Sequence, residues 1–182
     1  MIYMFIAEGF EEIEALCPLD IMRRAGLEVT TVGVGEGEIR GAHGITVKTD
    51  MDIASYDSLA DKSADMVFLP GGMPGTLNLA QSESVINAIK KALADDSYIA
   101  AICAAPSILG DMGILNGKEA ICYPGFEQRL TGAKISKSRV VLDGKILTAA
   151  GMGAALDMGL KIIEIFCSKE QADKLRRAVI AD

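Results

Sequence analysis

Residues 98–106 read Tyr98-Ile99-Ala100-Ala101-Ile102-Cys103-Ala104-Ala105-Pro106, and the reading of this stretch decides the fold class. The run Tyr98–Ile102 is short, apolar and without alternation, which suits a strand buried on both faces of a parallel sheet. Pro106 suits the first turn of a helix, where its missing N–H is no loss. Between strand and helix, Cys103 sits among small residues that permit a sharp turn.

The same alternation of short β-rich runs with longer amphipathic ones extends outward from this point. Strands are expected at Ile2–Ala7, Glu28–Val34, Asp65–Leu69, Val140–Leu142 and Ile146–Ala149, besides Tyr98–Ile102. Helices are expected at about Glu11–Ala25, Glu83–Ala94, Ala104–Met112, Ala155–Cys167 and Lys169–Val179. Gly26 follows Arg23 and Arg24, as where a helix ends with cations at its negative pole. The pattern implies an α/β doubly wound sandwich, its sheet mostly parallel, with helices on both faces. At 182 residues the chain holds one well-buried core, so residues 1–182 are read as a single domain. The Gly- and Glu-rich stretch Gly33–Gly41 reads as a loop or hairpin connection, and Asp61–Ala64 as a polar break.

The net charge of −7 and the scattered cations argue against a nucleic-acid partner, which needs clustered Lys and Arg. No apolar run approaches the ~20 residues that cross a bilayer. Acidic residues follow the N-terminal apolar stretch where a signal peptide would carry its cleavage site. A cytoplasmic protein with no membrane partner is expected. Cys17, Cys103, Cys122 and Cys167 form no C-x-x-C pair, and His43 is the sole histidine. A zinc site and a disulfide framework are both poorly supported, and no metal is expected. There is no phosphate-binding G-x-x-x-x-G-K-[ST], and neither Gly33-x-Gly35 nor Gly151-x-Gly153 completes G-x-G-x-x-G, so no cofactor is expected.

Ligands of open α/β sheets bind beyond the carboxyl ends of the strands. Three segments fit: Glu8–Glu14, Pro70–Gly75 and Cys103–Pro106. At the start of a helix, free N–H groups and the helix dipole favour thiolate, so Cys103 is expected below its ordinary pKa. The bland alternative is a buried, inert cysteine; the strand-to-helix position favours the reactive one. Glu14 shares a helical face with Cys17 and Ile21, which predicts burial and a raised pKa. Spacing alone leaves open a solvated acid of the kind Glu11 and Glu12 represent, and Pro18 points to a kink or late start. Gly71 and Gly72 let the backbone approach a ligand, and their N–H groups with that of Ala104 suit an oxyanion hole. His43 reads as a solvated or interface residue in the turn Gly41–Gly44, away from the cleft. No histidine follows Cys103, which argues against a Cys–His–acid hydrolase.

These residues resemble the ThiJ/PfpI superfamily, in the branch of the Parkinson disease-associated protein deglycase, bacterial type. The matching segments are Ala7–Glu14, Pro18–Gly26, Leu69–Gly72, Ala100–Pro106 and Leu147–Gly153, in family order along nearly the whole chain. The resemblance implies a flavodoxin-like fold and a homodimer. It makes Cys103 the elbow nucleophile and Glu14 the protonated carboxyl bonded to it. Gly72 and Ala104 then supply the anion-binding N–H groups, with Gly71 and Tyr123 lining the substrate site. The implied activity is cofactor-independent conversion of methylglyoxal-type aldehydes, and removal of early glycation adducts from protein side chains. The alternative is an oxidative-stress sensor or chaperone that works through oxidation of Cys103; a peptidase or amidotransferase-like hydrolase ranks last. One departure stands out. Some members carry a histidine before the proline of the loop after the elbow helix, where this chain has Cys122-Tyr123-Pro124-Gly125, and a phenol is no base near neutral pH.

Overall fold

The central strands are apolar on both sides because helices cover both faces of their sheet. The computed structural model describes residues 1–35 and 37–181. Glu36, inside the expected Gly33–Gly41 connection, and Asp182, the last residue of the 1–182 reading, lie outside the described residues. The chain opens with β1 (Ile2–Ala7), α1 (Glu12–Arg24) and β2 (Val29–Val34), followed by a ribbon of β3 (Glu38–Arg40) and β4 (Thr46–Lys48). Next come β5 (Met51–Asp52), α2 (Ile53–Asp57), β6 (Met66–Leu69), α3 (Gly75–Gln81) and α4 (Glu83–Ala94). Then follow β7 (Tyr98–Ile102), α5 (Pro106–Asp111), and the paired β8 (Glu119–Ala120) and β9 (Lys134–Ile135). The chain closes with β10 (Val140–Asp143), β11 (Ile146–Ala149), α6 (Ala155–Phe166) and α7 (Lys169–Ala178).

The main sheet runs β10-β11-β7-β6-β1-β2-β5, parallel throughout except for the β10–β11 pair. Because side chains alternate along a strand, β1 serves two cores at once. Ile2, Met4 and Ile6 pack with Ala15, Leu19 and Met22 of α1 and with Met158 and Ile162 of α6. Tyr3, Phe5 and Ala7 face Tyr56, Leu79, Val85, Ile89 and Ile108 from α2 to α5. This is the doubly wound sandwich expected from the alternating runs, and the flavodoxin-like fold that the resemblance implies.

From β1 the chain moves to β2 and β5 on one side, then returns to β6, β7 and β11 on the other. The order reverses between β1 and β6, which opens a crevice at their carboxyl ends. The loops at that crevice are Glu8–Glu11 and Pro70–Pro74, with Cys103 ending the next strand over.

Several local expectations change. Helix α5 begins at Pro106, and Cys103–Ala105 form the turn before it. Part of the Gly33–Gly41 segment is extended: β2 runs to Val34, and Glu38–Arg40 pairs antiparallel with Thr46–Lys48. Pro18 does not end or delay α1, which runs from Glu12 to Arg24 around it. Packing of Ala15, Leu19 and Met22 in the core outweighs the hydrogen bond that proline forfeits to Glu14. Helix α3, short and opened by Gly75, was not foreseen from periodicity.

Candidate active site

Cys103 follows β7 directly with φ of 65°, a left-handed conformation that residues other than glycine rarely adopt and that costs about 1–3 kcal/mol. Two long-range bonds hold it there: its N–H donates to the Ala149 carbonyl at 2.9 Å, and its carbonyl accepts from the Tyr123 N–H at 2.8 Å. The thiol is part-buried, and the N–H groups of Gly72 and Ala104 face the sulfur and favour its ionised form. Sequence and structure therefore agree on an elbow.

Glu14 reaches this sulfur from the first turn of α1. Only 1 % of the residue is exposed, which selects the buried reading over the solvated one. Its Oε2 accepts the Gly71 N–H at 3.1 Å, and its carboxyl faces the Cys103 thiol and the Met152 N–H, both of which favour its ionised form. The Gly71 amide is thus committed to Glu14, while Gly72 and Ala104 face the sulfur; the two glycine donors have divided tasks.

Burial is the largest cause that pushes the Glu14 carboxyl up to about 7, and the charge on Glu11 adds to it. Burial also pushes the Cys103 thiol up to about 12, followed by the charge on Glu14 and the thiol's bond to that carboxylate. The Ala104 and Gly72 amides oppose the rise without reversing it. The expectation that turn amides hold Cys103 below its ordinary range is therefore corrected: desolvation and a contacting carboxylate outweigh them. Two like charges in contact in a buried site are not both carried near neutrality, so the pair keeps at least one proton. When that proton sits on Glu14, both carboxylate contributions against the thiolate vanish.

The walls are tight. A Cβ on Gly71 would lie 2.5 Å from Glu14 Oε2 and 2.7 Å from the Cys103 Cβ. Gly71→Ala is therefore expected to push the acid and the sulfur apart, lowering turnover by at least about tenfold for a displacement of ~1 Å. An active-site titration of Cys103 together with initial rates checks this; a wild-type rate in the variant would refute the contact. Gly151 lines the opposite side, its added Cβ lying 3.8 Å from Glu14 Oε1 and 3.3 Å from Tyr123 Cδ2. Tyr123 is thereby placed beside Glu14, half-exposed at the mouth. Met152 was missed by sequence reasoning. Its signal was the Gly151-x-Gly153 pair after an apolar strand, read as a failed nucleotide motif and as the end of the family-like segment Leu147–Gly153, with no site role given to Met152.

Glu12 departs from the solvated acid it was taken to represent. It is 2 % exposed, and its Oε1 accepts the N–H groups of His43 at 2.8 Å and Ile45 at 3.3 Å. Its Oε2 lies 2.9 Å from His43 Nδ1. Burial pushes this carboxyl up, yet the bonds from His43 and Ile45 outweigh it and hold it below the usual range. His43 itself is an exposed turn residue, bonded to Glu12 rather than to Cys103 or Glu14 among the described residues. Glu11, Glu12 and His43 are close enough together to share an ion. The Glu12 oxygens, however, are already engaged by the turn. Of the other thiols, burial pushes Cys122 up to about 11 and raises Cys17, while Cys167 is exposed.

Comparison with known proteins places this geometry in context. The model of the DJ-1/PfpI family matches residues 1–165. The chain is similar to Protein DJ-1 homolog A of Arabidopsis thaliana, 37 % identical over 174 residues. That match covers 93 % of this chain and 44 % of the plant protein, so the chain spans less than half of that relative's length. It is also similar to the glutathione-independent glyoxalase DJR-1.2 of Caenorhabditis elegans, 29 % identical over 170 residues, covering 92 % of this chain and 89 % of that one. Among solved structures, Toxoplasma gondii DJ-1 in its oxidized form superposes with a TM-score of 0.92 at 34 % identity, covering 98 % of this chain and 97 % of that one.

Proposed function

The chain belongs to the DJ-1/PfpI family, and on that premise we propose that it is a cysteine-dependent, cofactor-independent glyoxalase and protein deglycase. Its substrates are methylglyoxal-type aldehydes and early glycation adducts on protein side chains. The observation that carries this reading is one sulfur set against the buried Glu14 carboxyl, with both packed on Gly71 and with the Gly72 and Ala104 N–H groups facing the sulfur.

In the proposed reaction the Cys103 proton passes to Glu14 and the sulfur adds to the aldehyde carbon, giving a hemithioacetal. The Gly72 and Ala104 amides hold the oxygen that gains charge. Glu14 gives the thiol proton to that oxygen, completing the hemithioacetal; its carboxylate then moves the proton of that carbon to the adjacent one while the hydroxyl proton passes to the neighbouring oxygen, leaving a thioester. Water hydrolyses the thioester, so methylglyoxal and water become lactate and the free thiol returns. Tyr123 and Gly71 shape the mouth. A carboxyl near 7 suits a group that must both accept and donate a proton near neutrality. The relative named as a glutathione-independent glyoxalase supports this assignment. The test is lactate formed from methylglyoxal without added thiol or metal; a rate no higher than buffer alone overturns the reading.

Residues 1–182 are proposed to form one such domain, acting in the cytoplasm as a homodimer. In support, no helix among the described residues is long and apolar enough to cross a membrane. Ile13, Tyr123 and Met152 are exposed large apolar side chains, of the kind a second copy covers.

A second reading, an oxidative-stress sensor or chaperone, is favoured by the same donors. A carboxyl and two amides around one sulfur suit the oxygens of a sulfinate. Mild peroxide is then expected to add two oxygens to Cys103 before Cys17, Cys122 or Cys167 is altered, as read by peptide mass. Uniform oxidation of all four counts against it.

A further inference from the structure

Glu11 is not among the residues assigned above, yet it touches both walls of the site. Its side chain is 13 % exposed at the N-cap of α1, and its Oε2 accepts the Glu14 N–H at 2.7 Å. Its own N–H donates to the Gly71 carbonyl at 2.9 Å. The Gly71 N–H in turn donates to Glu14 Oε2 at 3.1 Å. The three bonds close a ring through Glu11, Gly71 and Glu14. An ordinary N-cap would need the first of them only.

We propose that Glu11 is a positioning residue for the proton transfer, locking the Glu14 carboxyl and the Gly71–Gly72 turn in register through this closed ring. The inference rests on the reading of Glu14 as the proton carrier. The ring fixes two things at once. It sets where the carboxyl stands against the sulfur, and it keeps a second negative charge beside a carboxyl that must hold a proton. Removing that charge eases ionisation of Glu14, so its titration moves to lower pH. The other groups facing this cluster are the Cys103 thiol against Glu14, and His43 against Glu11, with Nδ1 3.9 Å from Glu11 Oε1. Glu12 holds the same ring nitrogen, its Oε2 2.9 Å from His43 Nδ1. His43→Ala is therefore the control for charge arriving from the ribbon.

The experiment compares Glu11→Gln, which keeps an acceptor for the cap, with Glu11→Ala, which loses both cap and charge. The Glu14 carboxyl is followed by carbon-13 NMR titration of the full chain, and methylglyoxal turnover is measured across pH. For Glu11→Gln the Glu14 midpoint is expected to fall by at least about half a pH unit, a threefold change in proton affinity. The acid limb of kcat/KM should move with it at unchanged thermal midpoint. For Glu11→Ala, kcat is expected to fall at least about tenfold with KM within a factor of about three, because the carboxyl loses its register. Should Glu11→Ala fail to fold, the decision rests on Glu11→Gln, and Glu11→Ser, which caps the helix without the charge, is expected to repeat its shift of the Glu14 midpoint. A Glu14 midpoint unmoved in Glu11→Gln overturns the proposal. If the wild type makes no lactate, the function proposed above fails, while the NMR titration still decides the role of Glu11.

Discussion

Cys103→Ala is expected to cut lactate formation from methylglyoxal by ~10³-fold or more, as removal of a covalent nucleophile does when the remaining groups act as a unit with it. The loss is chemical rather than structural. Alanine keeps the Cβ and meets the same left-handed strain as cysteine at φ of 65°. The bonds from Cys103 N–H to Ala149 and from Tyr123 N–H to Cys103 involve backbone only, so the elbow is retained. A thermal midpoint within a few degrees of wild type should accompany the lost activity. The variant also reports on the pair. The thiol's bond to Glu14 favours the ionised carboxyl, so without it Glu14 should titrate above its wild-type value of about 7. Equal rates in variant and wild type remove Cys103 from the reaction.

Glu14→Gln is expected to lower kcat by about 10²–10⁴, the range general acid–base catalysis supplies. The amide occupies the same volume and still accepts from Gly71, but it neither takes nor returns a proton. Stability should move the opposite way. The folded carboxyl titrates at about 7 against an ordinary 4.5, so the fold favours its protonated form. That contribution is fully present below the unfolded value and is lost as pH rises through the folded one. The difference amounts to about 3 kcal/mol between pH 4.5 and 8. The variant, with nothing to titrate, escapes this loss. Its stability relative to wild type should be near zero at pH 5 and rise to about 2–3 kcal/mol by pH 8 in urea melts. The comparison cancels the other titrating carboxylates, Glu12, Asp50 and Asp52, whose lowered values act in the reverse sense. A flat difference across that range would mean that Glu14 is not desolvated in the folded protein. A variant that turns over at the wild-type rate would dismiss it as the proton carrier.

How far the site was legible depends on the range of the forces involved. The elbow could be read because its signals are local: an apolar run, a cysteine, small residues and Pro106 are neighbours in the chain. The close approach of the Gly71–Gly72 turn was legible for the same reason, but not that Gly71 spends its N–H on Glu14 rather than on an oxyanion. Glu12 was misjudged because its burial comes from the turn at His43–Ile45, which folds over it from another element. Met152 escaped because a backbone amide contributes the same chemistry whatever side chain it carries. Glu11 looked like an ordinary acid of a first helical turn until Gly71 was seen to close the ring.

The chain alone determined the doubly wound sheet, since buried parallel strands leave continuous apolar runs and amphipathic helices leave their period. It also determined that Cys103 stands at a strand-to-helix turn. The proton balance between Cys103 and Glu14 was decided only by tertiary structure. Helix dipole and turn amides are local and can be foreseen. Desolvation is set by α1, the turn after β6 and the turn after β11 closing together around the pair, and it reversed the direction in which the thiol was expected to move.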